Sequence, residues 1–155
     1  MDLSRDWAYI EQVALERLEN NVTEHHVSDY GTIIETIGAA GELAARRFFG
    51  LSEQLHVNFD HGADMTYMGK RVDVKATQLN EKIHVKHLQW PHEKQIKADV
   101  VLMTAIDTAR KTGTVLGYAY RDEVEDAPIN PDRPYLCHEI PITRLHPAWE
   151  LLIHD

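Results

Sequence analysis

A length of 155 residues with 43% hydrophobic content predicts a single domain, residues 1–155, and excludes a disordered chain. The net charge of −9 argues against nucleic-acid binding by the surface as a whole, but residues 42–111 carry 11 Lys and Arg against 9 Asp and Glu. No apolar run reaches the length of a membrane span and no basic start precedes an apolar stretch, so neither a membrane anchor nor a secretory signal is expected.

Two helices are predicted at the start of the chain. The apolar residues of the first, across residues 4–20, recur at helical spacing, and they are Trp7, Ile10, Ala14 and Leu18. A second helix is expected from about Gly31 to Phe49, with Gly50 suited to its C-terminal cap. The small residues in its middle allow another layer to approach closely. Residues 1–30 form an N-terminal helical extension in this interpretation.

Beyond residue 50 the apolar period changes to that of strands. Strands are predicted over residues 55–59, 64–67 and 71–77, and a turn at Gly69 joins the last two into a hairpin. The later segments are a strand within 82–90, a short helix over 91–98, strands over 99–107 and 112–120, a helical turn over 122–126, and a closing strand and short helix. This order predicts an α/β fold with a central mixed β-sheet flanked by α-helices.

The hairpin carries charged residues that strands ordinarily avoid. Because side chains alternate along a strand, Asp73 and Lys75 share one face, about 7 Å apart. Asp64 lies on the preceding strand, and cross-strand neighbours come within about 5 Å. A carboxylate from each strand can therefore share one cation. A solvent-facing strand with a salt bridge is the alternative that the spacing leaves open.

This layout suits metal-assisted hydrolysis of a phosphodiester bond. Mg²⁺ prefers oxygen ligands and is usually held by one or two carboxylates together with substrate phosphate. A lysine beside it can orient the attacking water and offset charge that develops on the phosphoryl oxygens. Because two nearby carboxylates keep its ammonium group protonated, Lys75 is expected to act first through position and charge.

The ordered set of Glu42 in AAGELAARRFFG, Asp64 in GADMTY, and Asp73 with Lys75 in VDVKAT resembles the PD-(D/E)xK nuclease superfamily. The resemblance covers about residues 31–146, including the downstream segments KADVVLMTAID and VLGYAY, and is to small phage and bacterial nucleases. It implies the restriction-endonuclease-like fold. One departure is Ala63, which stands where the name of the motif has proline.

By this resemblance the chain is a divalent-metal-dependent DNA endonuclease that uses Mg²⁺ or Mn²⁺ and leaves a 5′-phosphate and a 3′-hydroxyl. The resemblance implies Asp64, Asp73 and the Val74 carbonyl as metal ligands. It implies Lys75 as the residue that positions the water, and Glu42 as a further ligand or a contact behind the ligands.

Two further residues are candidates near these positions. Glu35 lies two helical turns before Glu42 on a similar face, so it competes for the role of the helix carboxylate. Gln78 follows the motif at a spacing where related nucleases place a polar helper. A zinc site is not favoured, because the histidines are loosely spaced and lack cysteine support.

DNA is the expected partner. The side chains predicted to contact its backbone are cationic, and they are Arg46, Lys70, Arg71, Lys82 and Lys86. Trp90 is either a platform for a base or, more commonly, an exposed or half-buried residue at the end of a strand. A homodimer is consistent with the resemblance. The single cysteine, Cys137, excludes an internal disulfide and favours a reducing compartment, which for a bacterial or phage protein is the cytoplasm.

Two other hypotheses are kept. The fold could serve as a nucleic-acid-binding or assembly module with little catalysis, which fits the acidic total charge. The chain could also be a subunit whose acidic ends pack on a basic protein, since residues 1–41 carry 8 acidic and 2 basic side chains.

Overall fold

The computed structural model describes residues 1–20, 29–57, 62–79 and 87–153. Its helices are α1 (Trp7–Asn20), α2 (Asp29–Phe48) and α3 (Arg121–Glu125), with short 3₁₀ helices at Ser4–Asp6, Ile142–Arg144 and Ala148–Leu152. Its strands are β1 (Met65–Tyr67), β2 (Lys70–Gln78), β3 (His87–Pro91), β4 (Val100–Asp107), β5 (Thr112–Tyr120), β6 (Ile129–Asn130) and β7 (Cys137–Pro141).

The strands form two sheets. The larger is mixed and open, in the order β1-β2-β4-β5, with β2 and β4 parallel and the other pairs antiparallel. The smaller is antiparallel, in the order β3-β7-β6. The predicted α/β class with a mixed sheet flanked by helices is therefore confirmed, but the prediction did not separate a second sheet.

The second sheet exists because β4 is apolar on both faces. One face of the larger sheet packs against α1 and α2, where Leu43 and Ile106 are buried. The opposite face of β4 presents Val101 and Met103, which pack with Trp90 of the smaller sheet. Burial of β4 on both faces is what its continuous apolar run predicts.

Two local predictions were wrong. Residues 55–57 are not in a strand, and the rest of that predicted strand lies outside the described residues. Residues 92–98 form a turn at 92–93 followed by irregular backbone, instead of a helix. The Trp90 indole donates to the Lys94 carbonyl at 2.7 Å, and the Lys94 N–H donates to the Pro91 carbonyl at 3.0 Å. These two bonds close a tight turn, which delivers buried Ile96 to the core.

The predicted hairpin is confirmed. Met68 and Gly69 both have positive φ, at 48° and 78°, as a two-residue type I′ turn requires. The turn fixes the register in which Met65 pairs with Val72 and Tyr67 pairs with Lys70. Because register decides which face each side chain occupies, this turn sets the face of the charged residues on β2.

Helix α2 lies unusually close to the sheet at Gly41. A Cβ atom built at this position would lie 2.5 Å from the Ala76 Cβ and 2.6 Å from the Thr104 hydroxyl oxygen. Both are short, fixed side chains, so neither can move aside without a shift of the backbone. The missing side chain therefore sets the distance between α2 and β2, and with it the position of Glu42, the next residue.

Replacing Gly41 with alanine should destabilise the protein by about 1–3 kcal/mol, because the added methyl group overpacks this contact. Gly38 is the matched control in the same helix, since a Cβ there meets nothing within 4 Å. Gly38→Ala should stabilise by roughly 0.5–1 kcal/mol through the better helix propensity of alanine. Urea denaturation of both variants measures the difference. Equal effects would contradict the close contact.

Candidate functional site

The hairpin places Asp64 at the edge of β2, one residue before β1 begins. The Asp64 N–H donates to the Val72 carbonyl at 2.9 Å. The Asp64 carboxylate accepts the Val74 N–H at 2.5 Å. The side chain therefore takes the place of a neighbouring strand. Since the N–H and C=O groups of one strand residue point to the same side, the Val74 carbonyl faces the same edge as Asp64.

Asp73 and Lys75 are neighbours on the opposite face from α2, as their alternation predicts. The Lys75 ammonium group donates to an Asp73 carboxylate oxygen. It also lies 4.5 Å from the centroid of the Trp90 ring. Trp90 is only 4% exposed, so its ring is not available to stack on a base. Its face instead contacts the Lys75 ammonium group in a cation–π interaction. The ammonium group is thus held from two directions.

Glu42 projects from α2 into the same region and is paired with Arg17 of α1. The two guanidinium Nη atoms donate to the two Glu42 carboxylate oxygens at 2.7 and 2.8 Å. Arg17 also donates to the His56 carbonyl at 2.9 and 2.7 Å. Glu42 is 8% exposed, so this is a buried, bidentate ion pair.

Arg17 was missed in the sequence, although a signal for it exists. Ile10, Val13 and Ala14 are the buried face of α1. Arg17 follows Val13 by four residues and Ala14 by three, so it continues that apolar face with a charged side chain. A cation on a buried face predicts an anionic partner, but the sequence does not say which carboxylate it meets.

The carboxylates in this region act on one another through their charges. Burial first, and then the charges of Glu42 and Asp73, raise the pKa of Asp64 to about 7, against the opposing effects of the Val74 N–H and Lys75. Burial and the charge of Glu42 likewise raise the pKa of Glu35, while Arg17 opposes that rise. Glu35, the other candidate for the helix carboxylate, therefore lies close enough to feel the charge of Glu42. We call the carboxylates Glu35, Glu42, Asp64 and Asp73 the acidic region.

The raised pKa makes Asp64 a destabilising group at neutral pH in the absence of metal. The folded state binds this proton more tightly than the unfolded state, whose ordinary value is 3.8, so stability falls as pH rises from about 4 to about 7. Asp64→Asn keeps an acceptor for Val74 and carries no charge. In a chelator it should match the wild type near pH 4 and be more stable than the wild type at pH 8, by up to about 4 kcal/mol.

Urea denaturation across this pH range tests that difference, with Asp132→Asn as the control. Asp132 is exposed on a loop, so its variant should follow the wild-type pH dependence. A parallel pH dependence in Asp64→Asn and wild type would contradict the assignment of the raised pKa to Asp64.

The oxygen atoms that could bind a small, hard cation here come from two carboxylates and one backbone carbonyl. Asp64 and Asp73 supply carboxylate oxygens, and the Val74 carbonyl faces the edge where Asp64 lies. Within residues 1–20, 29–57, 62–79 and 87–153, no three His, Cys, Asp or Glu side chains form a group that could hold a metal ion. Two carboxylates with water and substrate phosphate are nevertheless a common arrangement for Mg²⁺.

Arg46 does not fit the predicted contact with DNA. It is 7% exposed, and its guanidinium donates to the Ser52 carbonyl at 3.2 Å and to the Asp64 carbonyl at 2.9 Å. It belongs to the cationic set predicted to contact the DNA backbone. Its two bonds tie the backbone of Ser52 to that of Asp64.

Two other predicted DNA contacts are exposed near the start of β2. Arg71 is on the face of Asp73 and Lys75, and its guanidinium lies 3.8 Å from the Asp99 carboxylate. Arg121, which the sequence did not single out, pairs with the same carboxylate at 2.6 Å. Lys70 is exposed on the other face. The remaining two predicted contacts, Lys82 and Lys86, lie outside the described residues.

Gln78 is placed apart from the charged residues of β2. It is the last residue of that strand, about 10 Å from Lys75 at the usual rise per residue. Its amide donates to the Thr108 hydroxyl at 3.1 Å. The side chain is therefore engaged at the far end of the sheet, and its predicted helper role receives no support from this contact.

Comparison of the chain with protein-family models, with curated proteins and with solved structures found no match. The resemblance to the PD-(D/E)xK superfamily therefore stays a prediction. In the part of the chain that the structure describes, no helix combines the length and apolar character needed to cross a membrane.

Proposed function

We propose that this protein is a divalent-metal-dependent nuclease that hydrolyses phosphodiester bonds in DNA. The observation that carries the proposal is that the charges of Asp73 and Lys75, which pair with each other, both act on the buried Asp64 carboxylate beside β2. Two of these side chains are carboxylates whose charges act on each other, and the third is a cation beside them. The restriction-endonuclease-like fold, the use of Mg²⁺ or Mn²⁺ and a cytoplasmic location belong to the same proposal.

Each residue has a distinct task in this proposal. Asp64 and Asp73 would hold the cation, which when bound neutralises phosphate charge and makes a water molecule more acidic. Lys75 would orient the attacking water and offset negative charge on the phosphoryl oxygens, with its ammonium group kept in place by Trp90. Arg71 would contact a neighbouring phosphate, since it is exposed on the same face of β2.

A second candidate is a DNA-binding module with little catalysis. It is favoured by the lack of a group of three ligands among the residues described, and by the pairing of Asp73 with Lys75. A DNA-binding module need not take up Mg²⁺ or Mn²⁺ near Asp64 and Asp73. Isothermal titration calorimetry with Mn²⁺ separates the two candidates.

The test of catalysis is cleavage of supercoiled plasmid and of branched DNA by the purified full chain. Mg²⁺ or Mn²⁺ should support cleavage, and a chelator should abolish it. The Asp73→Asn variant shows whether the activity belongs to the proposed residues. No cleavage of either DNA by the wild type, or equal cleavage by the variant, would contradict the catalytic proposal.

A further inference from the structure

Glu42 lies in the acidic region, yet both of its carboxylate oxygens are already engaged. Each accepts one hydrogen bond from Arg17, at 2.7 and 2.8 Å. The pair is buried, with side-chain exposures of 13% for Arg17 and 10% for Glu42. Bidentate pairing of this kind is among the stronger charge-assisted contacts in proteins.

Arg17 cannot easily turn away to release this carboxylate. Its Nε and one Nη atom also donate to the His56 carbonyl, so four contacts fix the guanidinium plane. A cation that took Glu42 as a ligand would have to approach this fixed positive charge where water screens little. The contact therefore disfavours Glu42, whose two oxygens both accept from a cation, more strongly than Asp64 or Asp73. In Asp64 the Val74 N–H engages Oδ2, and in Asp73 the Lys75 ammonium group engages Oδ1.

We propose that Arg17 is a positioning residue that withholds Glu42 from the metal, so that the site takes up one divalent cation through Asp64 and Asp73. This inference rests on the proposed function. It assigns Glu42 to the support of the site and assigns the N-terminal helix α1 a direct part in deciding how many ions bind.

The test is Mn²⁺ binding to the full chain at pH 8, by calorimetry and by electron paramagnetic resonance. The wild type should bind about one Mn²⁺ per chain. Glu42→Gln, which keeps an oxygen acceptor for Arg17, should change the dissociation constant by less than about threefold. Asp73→Asn should weaken binding at least about tenfold, because it removes a ligand.

A third variant tests whether Arg17 controls metal binding. The measured quantity would not change if Arg17 only supported the structure. In Arg17→Lys a single ammonium group replaces the planar fork, so one Glu42 oxygen becomes free to bind metal. A second, weaker Mn²⁺ binding event and a changed resonance spectrum are expected. Circular dichroism verifies that each variant is folded before titration.

The outcomes separate this inference from the proposed nuclease. Two Mn²⁺ ions per wild-type chain, or a loss of at least tenfold in Glu42→Gln, would overturn the role of Arg17 and leave the nuclease proposal standing. A folded Arg17→Lys variant that binds one ion as the wild type does would also overturn it. No Mn²⁺ uptake by the wild type would overturn both.

Discussion

Asp73→Asn should reduce the rate of Mg²⁺-dependent DNA cleavage by at least about 1000-fold, which corresponds to about 4 kcal/mol of lost transition-state stabilisation. The substitution preserves shape but removes the negative charge that the proposed cation requires. It also removes the anionic partner of Lys75, so the ammonium group loses one of its two fixed contacts. Both effects reduce the rate.

The fold should survive this substitution. The Asp73 carboxylate repels the Asp64 carboxylate, so removal of the Asp73 charge relieves this repulsion in the metal-free protein. We expect the melting temperature in a chelator to change by only a few degrees. Asp132→Asn is the control, because its exposed loop position makes the same chemical change away from the site. Full activity in Asp73→Asn would contradict the assignment of the cleavage to these residues.

The parts of the site that follow from local patterns were predictable. Strand alternation places Asp73 and Lys75 on one face, and the turn at Gly69 brings Asp64 back to the same strand. Two-sided burial of β4 follows from its apolar run. Each of these depends on residues close in sequence, where spacing alone fixes direction.

The parts that depend on packing between distant segments were not predictable. Arg46 was placed on the surface because its charge is visible in the sequence, while the carbonyl groups that bury it are not. The second sheet depends on pairing of β3 with β7, across about 50 residues that no local pattern relates. Arg17 belongs to the same class, because its partner lies on another helix.

Arg17→Met should destabilise the metal-free protein by about 3–5 kcal/mol, because it leaves Glu42 buried without a counter-charge. For a chain of this size that loss lowers the melting temperature by roughly 10 °C. The double variant Arg17→Met with Glu42→Gln should recover most of the loss, since no unpaired charge then remains. Urea denaturation at pH 8 in a chelator measures the free energy of unfolding of the wild type, the single variant and the double variant.

Arg47 provides the matched control, because its ion pairs have the same length but not the same burial. It contacts Asp6 and Glu53 at 2.7 Å, and the Glu53 side chain is 50% exposed. Water already solvates that carboxylate, so Arg47→Met should cost about 1 kcal/mol or less. If Arg17→Met and Arg47→Met cost the same, burial of Glu42 would not be the cause of the stabilisation. A large gap between them would identify the Arg17–Glu42 pair as the buried contact that attaches α1 to the site.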